Sequence, residues 1–208
     1  MKKIIQGSLL AIVLIVLAAC GSNDDAQTNN EGETSKQPMA TMAPDMNLGD
    51  FEAVNQDEEA ITKADLDGEW SVINFVFTNC TTICLPMTRN MAYLQGELDE
   101  ADLNDVNLVS FTVDPERDTP EVLQEYGDSY GANYDNWDFL TGYDFETIKE
   151  FSEEHFKSPL MEAPEDDDQI THTVSFFVIN PDGEIINRYK GNEQDEIDKL
   201  VDYLAENK

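Results

Sequence analysis

Cys80 and Cys84 stand four positions apart, directly after the apolar run Val72-Ile73-Asn74-Phe75-Val76-Phe77 and ahead of a helix-like pattern. Paired thiols at a strand-to-helix turn serve two chemistries, soft-metal binding and dithiol redox exchange. The spacing bears on both. Residues four apart in a regular helix hold their Cβ atoms about 5–6 Å apart, whereas a disulfide wants roughly 3.5–4.5 Å. A metal bridging two thiolates accepts the wider gap. Pro86 disfavours helical geometry at Leu85, so the helix is expected to start near Cys84 to Pro86. Cys80 then lies in a loop that can move, and both bonding modes stay within reach. A cysteine at a helix start feels the macrodipole and the unpaired N–H groups, which favour thiolate. That is the expectation for Cys84.

His172 is a candidate third ligand. It stands in Ile170-Thr171-His172-Thr173-Val174-Ser175-Phe176-Phe177, where an apolar strand begins. The plainer alternative is a strand-end histidine satisfied by hydrogen bonds. The other histidine, His155, lies in Ser152-Glu153-Glu154-His155-Phe156-Lys157 and reads as part of a solvated helix end. Two thiolates and an imidazole suit copper. Structural zinc almost always takes four protein ligands, and soft thiolate selects Cu(I). Asp114, in Asp114-Pro115-Glu116-Arg117-Asp118-Thr119-Pro120, is either a residue that supports or joins the ligands, or an ordinary turn-opening Asp-Pro. Met39, Met42 and Met46 add soft thioethers in a loose segment, a weak pointer to copper ferrying.

These side chains need a scaffold. Residues 51–54 and 61–66 read as short strands, the second closed by Asp67-Gly68. Residues 71–77 form a near-continuous apolar run, as in a strand covered on both faces. Met87, Met91, Leu94 and Leu98 make the stripe of an amphipathic helix. Residues 106–113 read as a second buried strand. Thr119 can cap a helix with Pro120 at its first position, running to about Tyr130. A strand over 137–141 and a helix over 144–156 follow. Strands at 174–180 and 184–189 form a hairpin across Pro181-Asp182-Gly183. A helix over 195–205 ends the chain. The order predicts an α/β domain resembling the thioredoxin-like fold, a central mixed sheet flanked by helices. In open α/β sheets, sites gather beyond the carboxyl ends of strands. Cys80 and Asp114 both follow such ends.

The beginning of the chain reads differently. Lys2 and Lys3 precede an apolar run over residues 9–19. It is short for a bilayer span, which needs roughly 20 apolar residues, and matches a secretory leader. It ends in Leu17-Ala18-Ala19-Cys20-Gly21, which resembles the bacterial lipobox. The resemblance implies that residues 1–19 are a lipoprotein signal peptide and that Cys20, the third cysteine, is lipidated. The protein would then be anchored to the cell membrane, facing the extracytoplasmic side. Residues 20–45 are polar and cannot offset their ordering entropy, so they read as a disordered tether. The domain is expected over 46–208. Net charge is −32. Such a chain repels nucleic acid and anionic lipid, and the spread of acids suits a surface in high salt or at high external pH. Glu165-Asp166-Asp167-Asp168 reads as a loop that avoids burial.

Three ordered motifs give a specific resemblance. Phe77-Thr78-Asn79-Cys80-x3-Cys84, then Ser110-Phe111-Thr112-Val113-Asp114 through Pro120, then His172 through Phe177 with Pro181-Asp182-Gly183, are similar to the Sco/SenC family. That family consists of copper-binding, thioredoxin-fold proteins that help assemble the binuclear copper A centre of cytochrome c oxidase. The resemblance covers roughly residues 46–206. It implies that Cys80, Cys84 and His172 are the copper ligands and that the copper A subunit of the oxidase is the partner. It implies a metallochaperone. The enzymatic alternative is a thiol–disulfide oxidoreductase that keeps the oxidase copper-site cysteines reduced, using a Cys80–Cys84 disulfide. Thioredoxin-like reductants usually carry C-x-x-C and a nearby cis-proline, and Gln169 to Thr171 contains no proline. One departure stands out: the family usually has proline directly after its second cysteine, and here Leu85 intervenes before Pro86.

Overall fold

The computed structural model describes residues 46–80, 84–162 and 169–208. The strand β3 (Ser71–Val76) is buried along its whole length. It pairs in parallel with β4 (Asn107–Thr112), which pairs in parallel with β5 (Trp137–Leu140). On its other side β3 pairs antiparallel with β6 (Ser175–Ile179), and β6 with β7 (Ile185–Lys190). Among the described residues the main sheet has five strands in the order β5-β4-β3-β6-β7. A small antiparallel ribbon joins β1 (Glu52–Val54) and β2 (Ala60–Thr62). The expected class, a thioredoxin-like α/β fold with a mixed central sheet, is the one observed.

Side chains alternate across a strand, and the apolar strands divide accordingly. Ile73, Phe75, Val109, Phe111 and Phe177 enter one core layer with Phe151 and Phe156 of α4 (Phe145–Phe156). Val72, Leu108, Phe176 and Val178 enter the other. There they meet α2 (Cys84–Glu100), Leu123 of α3 (Pro120–Tyr130), and Ile197, Leu200 and Leu204 of α5 (Gln194–Asn207). The stripe Met87, Met91, Leu94 and Leu98 is wholly buried, as its spacing predicts.

Helix ends follow local chemistry. The Thr119 hydroxyl accepts the Val122 N–H at 3.4 Å, with Pro120 at the first helical position. Asp144 caps α4 by accepting the Thr147 N–H at 2.8 Å. Gly131 ends α3 at φ 72°, the left-handed conformation that favours glycine there. The hairpin turn closes with the Gly183 N–H on the Asn180 carbonyl at 2.9 Å.

One element differs from expectation. The strand read over 61–66 stops at Thr62, and Lys63–Leu66 forms α1. Thr62 and Asp65 make a capping box, with the Thr62 N–H on the Asp65 carboxylate at 2.8 Å. This S/T-x-x-acid pattern outweighs the apolar alternation around it. Among the described residues no helix is long and apolar enough to cross a membrane.

Leu94→Ala should lower unfolding free energy by about 2–5 kcal/mol, the usual cost of emptying a leucine site in a closed core. Asp99→Ala, on the exposed face of the same helix, should stay within about 0.5 kcal/mol. Urea unfolding of the two variants checks both values.

Candidate metal centre

β3 stops at Val76, and the chain turns before the first thiol. The Phe77 ring is still core, 1% exposed, and the Cys80 N–H reaches back to the Phe77 carbonyl at 3.4 Å. Cys80 is itself buried, at 6% exposure. Cys84 is the first residue of α2, as the sequence predicts; its side chain lies outside the described residues. Pro86 is the third residue of the helix. First-turn N–H groups have no intrahelical acceptor, so the missing proline donor costs nothing there. Leu85 is exposed.

The start of α2 is held by buried polar contacts. The Thr88 hydroxyl lies 2.6 Å from the Tyr126 hydroxyl of α3. The Asn90 side-chain amide donates to the Gly191 carbonyl at 2.8 Å, and the Gly191 N–H donates to the Val174 carbonyl at 2.7 Å. A Cβ on Gly191 would fall 2.4 Å from the Phe176 ring, so only glycine permits this approach. The helix that begins at Cys84 is thus tied to the segment leading from His172 into β6.

His172 lies three residues before β6 and is partly buried. Its ring meets Phe77 edge-on, with centroids 5.8 Å apart and an 80° interplanar angle. Nδ1 is 2.8 Å from the Thr173 carbonyl. A carbonyl can only accept, so Nδ1 carries a proton, and Nε2 is the ring nitrogen left to act as a ligand. Three residues earlier, the Gln169 amide donates to the Asn79 carbonyl at 3.1 Å. The Cys80 loop and the His172 segment therefore meet, Phe77 against His172 and Asn79 against Gln169. Among the described residues, which leave out the Cys84 side chain, no group of three or more His, Cys, Asp and Glu could hold a metal.

His155 stands in the last turn of α4 among exposed Glu153, Glu154 and Lys157, but its own ring is only partly exposed. Its ring lies against Phe151, tilted by 54° with centroids 5.3 Å apart, and a Cβ on Gly49 would fall 2.0 Å from its Nε2. An apolar face on α4 draws the ring in where the run of acids suggests solvent. Met46 is buried in the core, and its carbonyl accepts the Ile185 N–H at 2.9 Å, so it belongs to the packed domain and not to a loose thioether segment. Cys20, Met39, Met42 and the run 165–168 lie outside the described residues.

Asp114 opens the turn after β4. Its carbonyl accepts the N–H groups of Arg117 at 3.1 Å and Asp118 at 2.9 Å. Its buried carboxylate meets the Arg117 guanidinium at 3.3 Å. Asp118 is not marked out by the sequence. This residue is fully buried, and its carboxylate accepts the Thr78 N–H at 3.1 Å and the Thr78 hydroxyl at 2.6 Å. It also accepts the Thr112 hydroxyl at 2.5 Å. The Thr112 oxygen in turn accepts the Asp114 N–H at 3.0 Å. Burial pushes the Asp118 carboxyl above the ordinary carboxylate range, against the bonds from Thr112 and Thr78, and the nearby Asp114 charge adds to the rise. The signal in the sequence was a second acid four residues after Asp114, with nothing to say that its partner lay forty residues back.

Comparison with known proteins decides the family. The SCO1/SenC family profile matches residues 40–206. The chain belongs to the SCO1/SenC family. The SCO1 protein homolog of Bacillus subtilis is 37% identical over 199 residues, which is 96% of this chain and 94% of that protein. BsSco, a member of the Sco family of cytochrome c oxidase assembly proteins in which a disulfide switch was identified, matches with TM-score 0.68 and 39% identity, covering 78% of this chain and 95% of that one. Arabidopsis thaliana ScoI with copper bound matches with TM-score 0.64 and 28% identity, covering 76% and 95%. The chain spans only 52% of yeast mitochondrial SCO2 and 59% of its human homolog.

The pH dependence of this SCO1/SenC domain carries a sign set by Asp118. Its folded pKa lies above the unfolded value, so the native state binds the extra proton. The Asp118 contribution is full below the ordinary carboxylate pKa, about 3.9, and is lost as pH rises through the raised native value. Asp118→Asn is uncharged throughout. The stability of wild type relative to that variant should therefore be greatest near the ordinary carboxylate pKa and shrink toward neutrality in urea titrations at stepped pH. A difference that grows with pH would contradict the assignment.

Proposed function

We propose that this protein is a copper metallochaperone that helps assemble the binuclear copper A centre of cytochrome c oxidase. Copper is its cargo, held by Cys80, Cys84 and His172. The observation that carries the reading is the approach of the His172 segment to the Cys80 loop, with the Nδ1–H engaged by a backbone carbonyl. Metal-ligating histidines almost always donate their other ring N–H in this way. The donor set is soft and fits copper, and a relative from Arabidopsis thaliana has copper bound. Asp114 would support the ligands from the neighbouring loop. BsSco's membership of an oxidase assembly family supports the oxidase as destination. On this reading residues 1–19 are the leader, Cys20 carries the lipid, residues 20–45 form the tether and 46–208 the working domain. The domain then faces the copper A subunit from the extracytoplasmic side of the cell membrane.

Copper titration of the reduced protein tests the ligand set. Cys80→Ser and His172→Ala should each weaken copper binding by more than the ~10–100-fold that loss of an outer supporting partner costs. Oxidation to a Cys80–Cys84 disulfide should abolish binding, because only the thiolate coordinates. Equal affinity of oxidised and reduced protein would remove the redox gate from this reading.

The disulfide switch of BsSco favours a second reading, a thiol–disulfide oxidoreductase acting on the oxidase copper-site cysteines. His172→Ala separates the two. It removes a ligand and leaves both thiols for exchange. In cells lacking the wild-type protein, the variant should fail to restore oxidase activity if delivery is the task. Full rescue would favour thiol reduction.

A further inference from the structure

Two loops leave the sheet side by side at the carboxyl ends of the paired strands β3 and β4, one carrying Cys80 and the other opened by Asp114. A single buried carboxylate joins them. Asp118 takes both the N–H and the hydroxyl of Thr78, two residues before Cys80. It takes the hydroxyl of Thr112, whose oxygen holds the Asp114 N–H. Its own N–H returns to the Asp114 carbonyl at 2.9 Å. Backbone and side chain of Thr78 are therefore fixed together, and the ladder continues past β3 through the Val113 N–H on the Val76 carbonyl at 2.8 Å. The carboxyl group is fully buried and its two oxygens face three donors, so replacing one oxygen by an N–H group leaves a donor poorly satisfied.

We propose that Asp118 is a positioning residue of the metal centre: it pins the Cys80 loop to the Asp114 turn and so holds the Cys80 thiol in a closed, ligand-ready pose. The copper side of this inference rests on the copper reading above; the thiol side does not. A site must be held to within about 0.5 Å by side chains locked from behind. Thr78 lies two residues before the thiol, and Asp118 fixes both its N–H and its hydroxyl. Asp118 acts through Thr78.

The experiment uses the full chain, reduced, with two readouts. The first is the iodoacetamide alkylation rate of Cys80 in a Cys84→Ser background, with the Cys80 peptide resolved from that of Cys20 by mass spectrometry. The second is copper affinity with both thiols present. Asp118→Asn should raise the alkylation rate several-fold and weaken copper binding about 10–100-fold, the usual loss when an outer partner is removed. Thr78→Val keeps the carboxylate and deletes one of the three bonds; it should shift both readouts the same way by less. It decides the matter if Asp118→Asn does not fold. Ser110→Ala is the control for general loosening. That hydroxyl is fully buried, accepts the Trp137 indole N–H at 3.0 Å and donates to Asn74 at 2.7 Å, away from both loops. It should lower the melting temperature and leave both readouts unchanged. Equal shifts in Ser110→Ala, or none in Asp118→Asn and Thr78→Val, would overturn the proposal. If wild type binds no copper, the copper reading falls and the alkylation rates alone decide the role of Asp118.

Discussion

The complete burial of β3 is the constraint from which the rest follows. A strand covered on both faces must be apolar on both, and its backbone groups must pair on both edges. β4 and β6 supply the pairing; α2, α3 and α5 cover one face and α4 the other. The strand can then end only where chain and solvent meet, at the carboxyl edge of the sheet. Thr78 lies at that exit, where the ladder no longer satisfies its N–H. A buried N–H without an acceptor is costly, and Asp118 is the acceptor. The chemistry of the Cys80 loop is therefore built on the solution to a backbone problem.

Short-range features were legible in the sequence because their causes are short-range. The stripe from Met87 to Leu98, the Thr119-Pro120 helix start and the Pro181-Asp182-Gly183 turn each depend on residues within one or two turns. The apolar runs and Pro86 placed Cys80 after a strand, Cys84 at a helix start and His172 ahead of a strand, as observed. Lys63–Leu66 was misread because two apolar residues among polar ones fit either a strand or a helical turn, and the Thr62–Asp65 cap decides. Asp118, Asn90 and Gly191 were passed over for a different reason. Each acts through a bond to a residue at least six positions away, and in the main case forty or more. Sequence spacing carries no trace of such a bond. His155 was assigned to solvent because its neighbours are acids, while the ring itself packs on Phe151.

Charge works against this fold. Twelve basic residues face forty-four acids, so most carboxylates have no cation to meet. The ion pairs Lys149–Glu146, Lys190–Glu193 and Lys199–Glu196 lie within one helical turn or loop at the surface. Pairs of that kind contribute about 0–1 kcal/mol. Stability must come from the two apolar layers, and like-charge repulsion subtracts from it. Added salt screens that repulsion over about 10 Å at 0.1 M. A surface of this composition suits an environment that supplies its own counterions.

A carrier must hold its cargo and give it up, and the proposed ligands sit on elements of unequal security. Cys80 is buried at the end of the most enclosed strand, with Thr78 held behind it. His172 stands outside the β6 ladder. Its segment is secured by the Met161–Thr171 bridge, the Gly191–Val174 bond and the Gln169 amide. Local opening costs least where few ladder bonds must break, and His172 lies outside the β6 ladder. Loss of the imidazole first would leave copper on two thiolates facing a partner, with Cys80 still in place.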